Sequence, residues 1–301
     1  MNILITGASG FVGSQLTQIL SHQHQLTLLT RHPEKTSAHL GAHHDYLSSL
    51  DELANLDSFD AVINLAGEPI AGKRWSHSQK QAICHSRWSI TNQLATLIAA
   101  STNPPSTFIS ASAVGYYGVQ TNNKVDELTE ISPQNQAEFT HKVCQRWEQE
   151  ALKAATDITR VCIIRIGVVL GAKGGALAKM VPPFKLGLGG PIANGEQGMS
   201  WIHLDDLTGL IIFLLTQPKT SGVYNACAPN PVSNQVFTKA LGKALHRPTV
   251  IPAPAFALKI ALGEMSTILI DGQYVVPTRA LTEGFTFTYP TIDNALHQLF
   301  K

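Results

Sequence analysis

The chain has 301 residues, of which 44% are hydrophobic and only 14% charged, against about 25% charged in an average soluble protein. That length allows one large domain or two unequal lobes sharing a core. A net charge of +1, with no basic run and no acidic tail, argues against nucleic acid or an anionic membrane as the main partner, and the sparse charge fits a large buried fraction or a homo-oligomer.

Four scattered cysteines (Cys84, Cys144, Cys162, Cys227) without a CxxC read as reduced thiols. Neither a signal-like apolar region nor a run of ~18 apolar residues is present, so a cytoplasmic protein that does not span a membrane is expected. His22/His24 and His43/His44 fall in polar, loop-like stretches. No HExxH or Cys/His ligand spacing accompanies them, and no metal site is expected.

In chain order, the strand ILIT (3–6) runs into Gly7, Gly10 and Gly13 and then a helix over 12–21. Gly7 allows a tight turn, Gly10 lets the backbone approach a pyrophosphate, and Gly13 lets the helix pack close to the strand. The helix N-terminus adds a positive dipole end. The GxxGxxG spacing points toward extended short-chain dehydrogenases. The second strand, LTLLT (26–30), ends in Thr30-Arg31 where an NAD site would show Asp or Glu. An arginine suits a 2′-phosphate, so NADP(H) is favoured over NAD(H).

AVINLA (61–66) is the next central strand. It ends in NLAG (64–67), where the small residues around Leu65, Ala66 and Gly67 let backbone pass a cofactor. A helix over 78–100 follows, with Ser76 and Gln79 at capping-box spacing. Its apolar stripe Ile83, Ile90, Leu94, Leu97 is interrupted by Arg87. A charge on the core side is costly unless paired, so Arg87 either reaches the edge or meets an anionic group near the cofactor.

TFISAS (107–112), a helix over 138–155, and VCIIRI (161–166) complete an alternating pattern, which argues for a parallel sheet covered on both faces. After about residue 170, Gly and Pro cluster. The expected layout is a nucleotide-binding core over 1–170, with 201–228 returning to it, and a smaller lobe in the rest of 171–301. WIHLDDLTGLIIFLLT (201–216) reads as a helix, with Asp205 and Asp206 serving its cap and dipole. PPFKLGLGGPI reads as a lid or lobe connector.

GEPIAGKRW, SASAVGYYG, FTHKVCQRWE, RIGVVLG, GGALAKMVPPFKLGLGGPI, SWIH and GFTFTYP, in this order, resemble the YfcH-type, epimerase-like family of atypical extended short-chain dehydrogenases over nearly the whole chain. The resemblance implies an α/β fold: a Rossmann-type doubly wound parallel sheet with a smaller C-terminal substrate lobe and bound NADP(H). It assigns the cofactor to Gly7, Gly10, Phe11 and Gly13, to Thr30 and Arg31 at the ribose phosphate, and to Glu68 near the nicotinamide ribose. Arg87 takes the place of an Asn common in relatives. Val168 does the same, so that its backbone would meet the nicotinamide, unless it is simply strand core. It does not supply a substrate.

Ordinary members of that superfamily place a Ser after the fifth strand and a Tyr and Lys four residues apart on the next helix. The lysine matters because a phenol titrates near 10, and service near neutrality needs a shift of about 3 units, roughly 4 kcal/mol. Ser112 fits the Ser position, with Ser110 as alternate. On the helix, Thr140 and Cys144 stand at the Tyr and Lys positions, and no Tyr-x-x-x-Lys occurs in the chain. Lys142 points about 200° away from Thr140 and cannot substitute. The candidate acids are Tyr116 or Tyr117, then His141, then a group on the substrate. Lys185, Trp201, His203 and Arg279 are further candidates for the substrate side.

Two functions follow. One is an NADP(H)-dependent oxidoreductase or epimerase acting on a small carbonyl or sugar-like metabolite, with Ser112 orienting the reacting oxygen. The other is an NADP(H)-binding sensor that has lost the chemistry. A polar pocket beside the nicotinamide site separates them in favour of the enzyme.

Overall fold

The protein is described by a computed structural model covering residues 1–120 and 124–301. Its first half alternates strand and helix: β1 (Asn2–Thr6), α1 (Phe11–Leu20), β2 (Gln25–Leu29), α2 (Pro33–Leu40), β3 (Asp45–Leu47), β4 (Ala61–Asn64), α3 (His77–Ala99) and β5 (Thr107–Ala113). A 3₁₀ turn (Val114–Tyr117) leads to β6 (Lys124–Val125), α4 (Pro133–Gln136), α5 (Phe139–Leu152), β7 (Arg160–Ile166) and β8 (Val168–Leu170). Then come α6 (Gly175–Lys185), β9 (Gly198–Met199), β10 (Trp201–His203), α7 (Leu204–Thr216) and β11 (Gly222–Ala226). The chain ends with β12 (Val232–Ser233), α8 (Asn234–Leu245), α9 (Ala255–Leu262), α10 (Thr267–Ile270), β13 (Tyr274–Val275), α11 (Thr278–Thr282) and α12 (Ile292–Leu299).

The central sheet is parallel throughout, in the order β11-β7-β5-β4-β1-β2-β3. Ile3, Leu4 and Ile5, like Val62 and Ile63, have no exposed surface. They read as unbroken apolar runs because helices cover both faces of the sheet. One core cluster holds Ile3, Ile5, Leu16, Ile63 and Leu210 against α1 and α7; the other holds Leu4, Val62, Leu94, Phe108 and Ile163 against α3. The strand order reverses between β1 and β4, and in open α/β sheets the crevice beyond the carboxyl ends at such a point receives the ligand. This is the doubly wound Rossmann-type architecture.

Three local expectations are corrected. Residues 201–203 are a strand paired with β8, not helix; the helix starts only at Leu204, where the His203 ring accepts the Asp205 N–H. Asp206 does more than favour the helix dipole: its carboxylate takes the N–H groups of Thr288 and Tyr289 and ties down the tail. The capping box at α3 is half made, since the Ser76 hydroxyl accepts the Gln79 N–H while the buried Gln79 side-chain nitrogen has no partner among the described residues.

Candidate functional site

The turn after β1 is shaped by steric need. Gly7 has φ +72°, and a Cβ there would lie 2.6 Å from the Leu65 carbonyl oxygen; a Cβ at Gly13 would lie 2.2 Å from the Gly7 oxygen. Only glycine satisfies both. Gly10 caps α1 without a side-chain hydrogen bond, leaving the first-turn N–H groups of Phe11, Val12 and Gly13 directed at an outside acceptor. This cradle fits a pyrophosphate. The Phe11 ring faces elsewhere: Cβ atoms at Gly171, Gly174 and Gly175 would each come within 2.7 Å of it. Three glycines thus form a socket that seats α1 against the start of α6.

At the end of β2, Arg31 is exposed and makes no ion pair within 4 Å among the described residues. Thr30 is buried, its hydroxyl shared with that of Thr36 at 2.8 Å, so it closes the turn while Arg31 faces outward. Beyond β4, Ala66 N–H points to the Thr6 hydroxyl, and Glu68 N–H to Ser86 Oγ. Arg87 reaches inward: its guanidinium donates to the carbonyls of Glu68 and Ile83 at 3.0 and 3.1 Å. It lies 5.0 Å from the Trp147 ring and flush against Gly67, where a Cβ would sit 3.0 Å away. It has no carboxylate partner within 4 Å among the described residues, and burial lowers its pKa. Val168 N–H is already taken by the Ser200 carbonyl.

Both serines of β5 are internal. Ser110 accepts from Asn64 Nδ2 at 3.2 Å. Ser112, 2% exposed, donates to Glu148 at 2.7 Å. Glu148 in turn receives two 2.8 Å bonds from Arg165, which stands opposite Ser112 in the β5–β7 register. Arg165 also donates to the Tyr117 hydroxyl, which donates to Asn225, and its guanidinium covers the Tyr116 ring at 3.4 Å. Tyr117 has no exposed surface, and burial raises its pKa far above the ordinary phenol. Ser112, expected to orient the reacting oxygen, and Tyr117, a candidate acid, therefore belong to one buried polar network.

Helix α5 presents Val143, Cys144 and Trp147 inward and Lys142 outward. Cys144 is 4% exposed; burial, with the Glu148 charge, pushes its thiol up to about 12. Thr140 lines a cavity of about 320 Å³ with Trp75, Val119, Phe139, Glu264, Thr267 and Asp271, among others. Its walls follow the carboxyl ends of β4 and β5 and draw on the C-terminal lobe. Of its carboxylates, Glu138 accepts the Val119 N–H and Glu264 pairs with Lys80. Among the described residues the Asp271 side chain has no such partner, and burial raises its pKa against the pull of Lys259. Tyr116 and His141 open on a separate cavity of about 390 Å³. There His141 is held through Nδ1 by the Tyr116 carbonyl, while its buried Nε2 has no partner among the described residues.

A family model described as the NAD dependent epimerase/dehydratase family matches residues 3–227. The chain belongs to that family. A second model, a domain of unknown function (DUF1731), matches residues 253–299. The chain is 42% identical over 309 residues to the "Epimerase family protein SDR39U1 homolog, chloroplastic" of Arabidopsis thaliana, covering 100% of this chain and 87% of that protein. It is 38% identical over 304 residues to YfhF of Bacillus subtilis (strain 168), covering 99% and 98%. Among solved structures, human epimerase family protein SDR39U1 (isoform2) with NADPH superposes with a TM-score of 0.90 at 35% identity over 99% of both chains. UDP-glucuronic acid 4-epimerase from Bacillus cereus in complex with NAD gives a TM-score of 0.76 at 17% identity over 100% and 96%, a likeness of fold alone.

Within this epimerase-family frame, the cavity gathers around Thr140 residues for which the sequence suggests no site role. Trp75 lies in the GEPIAGKRW motif, and Asp271 follows α10, almost two hundred positions later. Lys185, Trp201, His203 and Arg279 do not line it. Trp201 is fully buried in the lobe core and donates to the Asn230 carbonyl; His203 bonds Gln298; Arg279 pairs with Glu283; and Lys185 ends α6 at the surface. No helix of the described residues is long and apolar enough to cross a membrane, and no potential metal-ligand cluster occurs among them.

Proposed function

We propose that this protein binds NADP(H) and acts as an oxidoreductase or epimerase on a small carbonyl or sugar-like metabolite. The observation that carries the reading is the pairing of the Gly7–Gly13 cradle with Arg31, an exposed cation at the end of β2 where no carboxylate competes for the ribose. The crystallised human relative carries NADPH, which agrees with that chemistry. When bound, the nicotinamide supplies or accepts the hydride.

This chain's own residues would hold the phosphates through the first-turn N–H groups of α1 and the 2′-phosphate through Arg31. Leu65, Ala66, Gly67 and Glu68 would give the nicotinamide half a close backbone path. The cation missing from α5 is supplied from α3: Arg87 lies over Trp147, beside Gly67, and its charge is felt at Cys144. The Thr140 cavity, with Glu138, Glu264 and Asp271 on its walls, is the candidate substrate site of the enzyme reading. Within it, Asp271 is the group best placed to exchange a proton with a substrate, since Ser112 and Tyr117 are engaged elsewhere.

The test is a titration with NADPH and NADH, repeated on Arg31→Asp. The expectation is tighter binding of NADPH and a loss of that preference in the variant. Absence of binding by either nucleotide would refute the proposal.

A further inference from the structure

We propose that the C-terminal lobe carries a docking face for an anionic lipid surface. Of the thirteen large hydrophobic side chains exposed among the described residues, six fall on two short segments: Leu186, Leu188, Val250, Ile251, Phe256 and Ile260. Backbone bonds place the segments side by side. Ile251 N–H meets the Gly189 carbonyl, Ala253 N–H meets that of Pro191, and the Arg247 side chain donates to the Lys185 carbonyl. Helix α9 follows at once and continues the face. It reads AFALKIAL yet contains no buried residue. Leu258 and Leu262 are its half-buried side, while Phe256 and Ile260, one turn apart, are 68% and 73% exposed. Scattered exposed leucines are ordinary, but a contiguous cluster marks an interaction surface.

Charge identifies the occupant. Residues 173–191 and 243–262 contain Lys173, Lys179, Lys185, Lys243, Arg247 and Lys259 and no Asp or Glu, in a chain whose net charge is only +1. The chain-wide balance that argues against a membrane thus hides a local excess. Among the described residues, Asp293 lies 3.8 Å from Lys243, Asp271 senses Lys259, and Glu264, two residues beyond α9, is paired with Lys80. Lys173 adjoins the glycine socket around Phe11 and Lys179 donates to the Ala71 carbonyl, so the cations of the face itself are Lys185, Arg247 and Lys259. Of these, Lys185 and Arg247 have no carboxylate within 4 Å among the described residues. A second copy of the chain, docked through the same face about a two-fold axis, would set these cations against their own images. Anionic headgroups would meet them with opposite charge while the apolar side chains enter the acyl boundary.

The experiment is co-flotation of the full chain with phosphatidylcholine vesicles, with and without roughly one-third phosphatidylglycerol. Binding is expected only to the anionic vesicles and should weaken as salt screens the attraction. It should fall about tenfold or more in Phe256→Glu/Ile260→Glu and in Lys185→Glu/Lys259→Glu. All four positions are exposed, so circular dichroism and melting temperature should be unchanged. Three results would overturn the proposal: no binding to anionic vesicles, equal binding to neutral ones, or binding indifferent to both variants. A concentration-dependent dimer dissolved by Phe256→Glu/Ile260→Glu would assign the face to a second copy instead. The outcome is independent of whether NADP(H) binds.

Discussion

Replacing Glu148 by leucine tests whether the buried network is structural. Glu148 and Arg165 have side chains 7% and 5% exposed and share two 2.8 Å hydrogen bonds. The substitution leaves Arg165 with the Tyr117 hydroxyl and two aromatic faces, an uncompensated cation in a dry site, and strands the Ser112 hydroxyl. Breaking a buried pair from one side costs about 3–5 kcal/mol, a large share of a typical 5–15 kcal/mol stability. At roughly 2–4 °C per kcal/mol for a large domain, the melting temperature should drop by about 6–20 °C. Urea unfolding followed by circular dichroism should show the same loss as a lower midpoint. Removing both charges, in Glu148→Leu/Arg165→Met, should recover most of it, since two apolar groups of similar volume replace a desolvated pair. A single variant within about 1 kcal/mol of the parent, or a double variant weaker than the single, would refute the reasoning.

Alkylation of the native protein should label Cys84, which is half-buried, and spare Cys144, Cys162 and Cys227, which are buried; mass spectrometry reads the sites, and rapid labelling of Cys144 would contradict a thiol pushed up to about 12. Burial raises the Asp271 carboxyl from its ordinary value of 3.8, so the folded chain holds that proton to higher pH than the unfolded one. Stability contributed by this group is therefore lost as pH rises from the ordinary value through the raised one. Asp271→Asn should gain on the parent in melting temperature across that window, and parallel curves would remove the assignment. Arg87→Met should narrow a preference for NADPH over NADP⁺, because a buried cation disfavours the cationic oxidised ring. A change of roughly tenfold in the ratio of dissociation constants corresponds to about 1.4 kcal/mol, and an unchanged ratio would place Arg87 away from the ring.

The sheet was readable because its strands are buried on both sides and show as unbroken Ile, Val and Leu runs. Gly7 and Gly13 were readable because a Cβ at either would strike backbone. Residues 201–203 were misread because an apolar strand of three residues abuts an apolar helix, and only the His203 cap separates them. The serines looked available because sequence shows a hydroxyl but not its partner. Glu148 becomes that partner only when β5 and β7 align Ser112 with Arg165. The Thr140 cavity was illegible for a related reason: Trp75 and Asp271, far apart in the chain, meet only through tertiary packing, and no local periodicity encodes that.

The Glu148–Arg165 lock also bears on how this branch could diverge. It fixes the rotation of α5 about its own axis from a point two turns beyond Thr140. Residues 140 and 144 therefore do not have to hold the helix in place. A tyrosine and a lysine could be exchanged there by drift without unseating the scaffold, and other side chains tried in their stead. An ancestral site could be emptied and refilled on the same framework, with the anchor left untouched throughout.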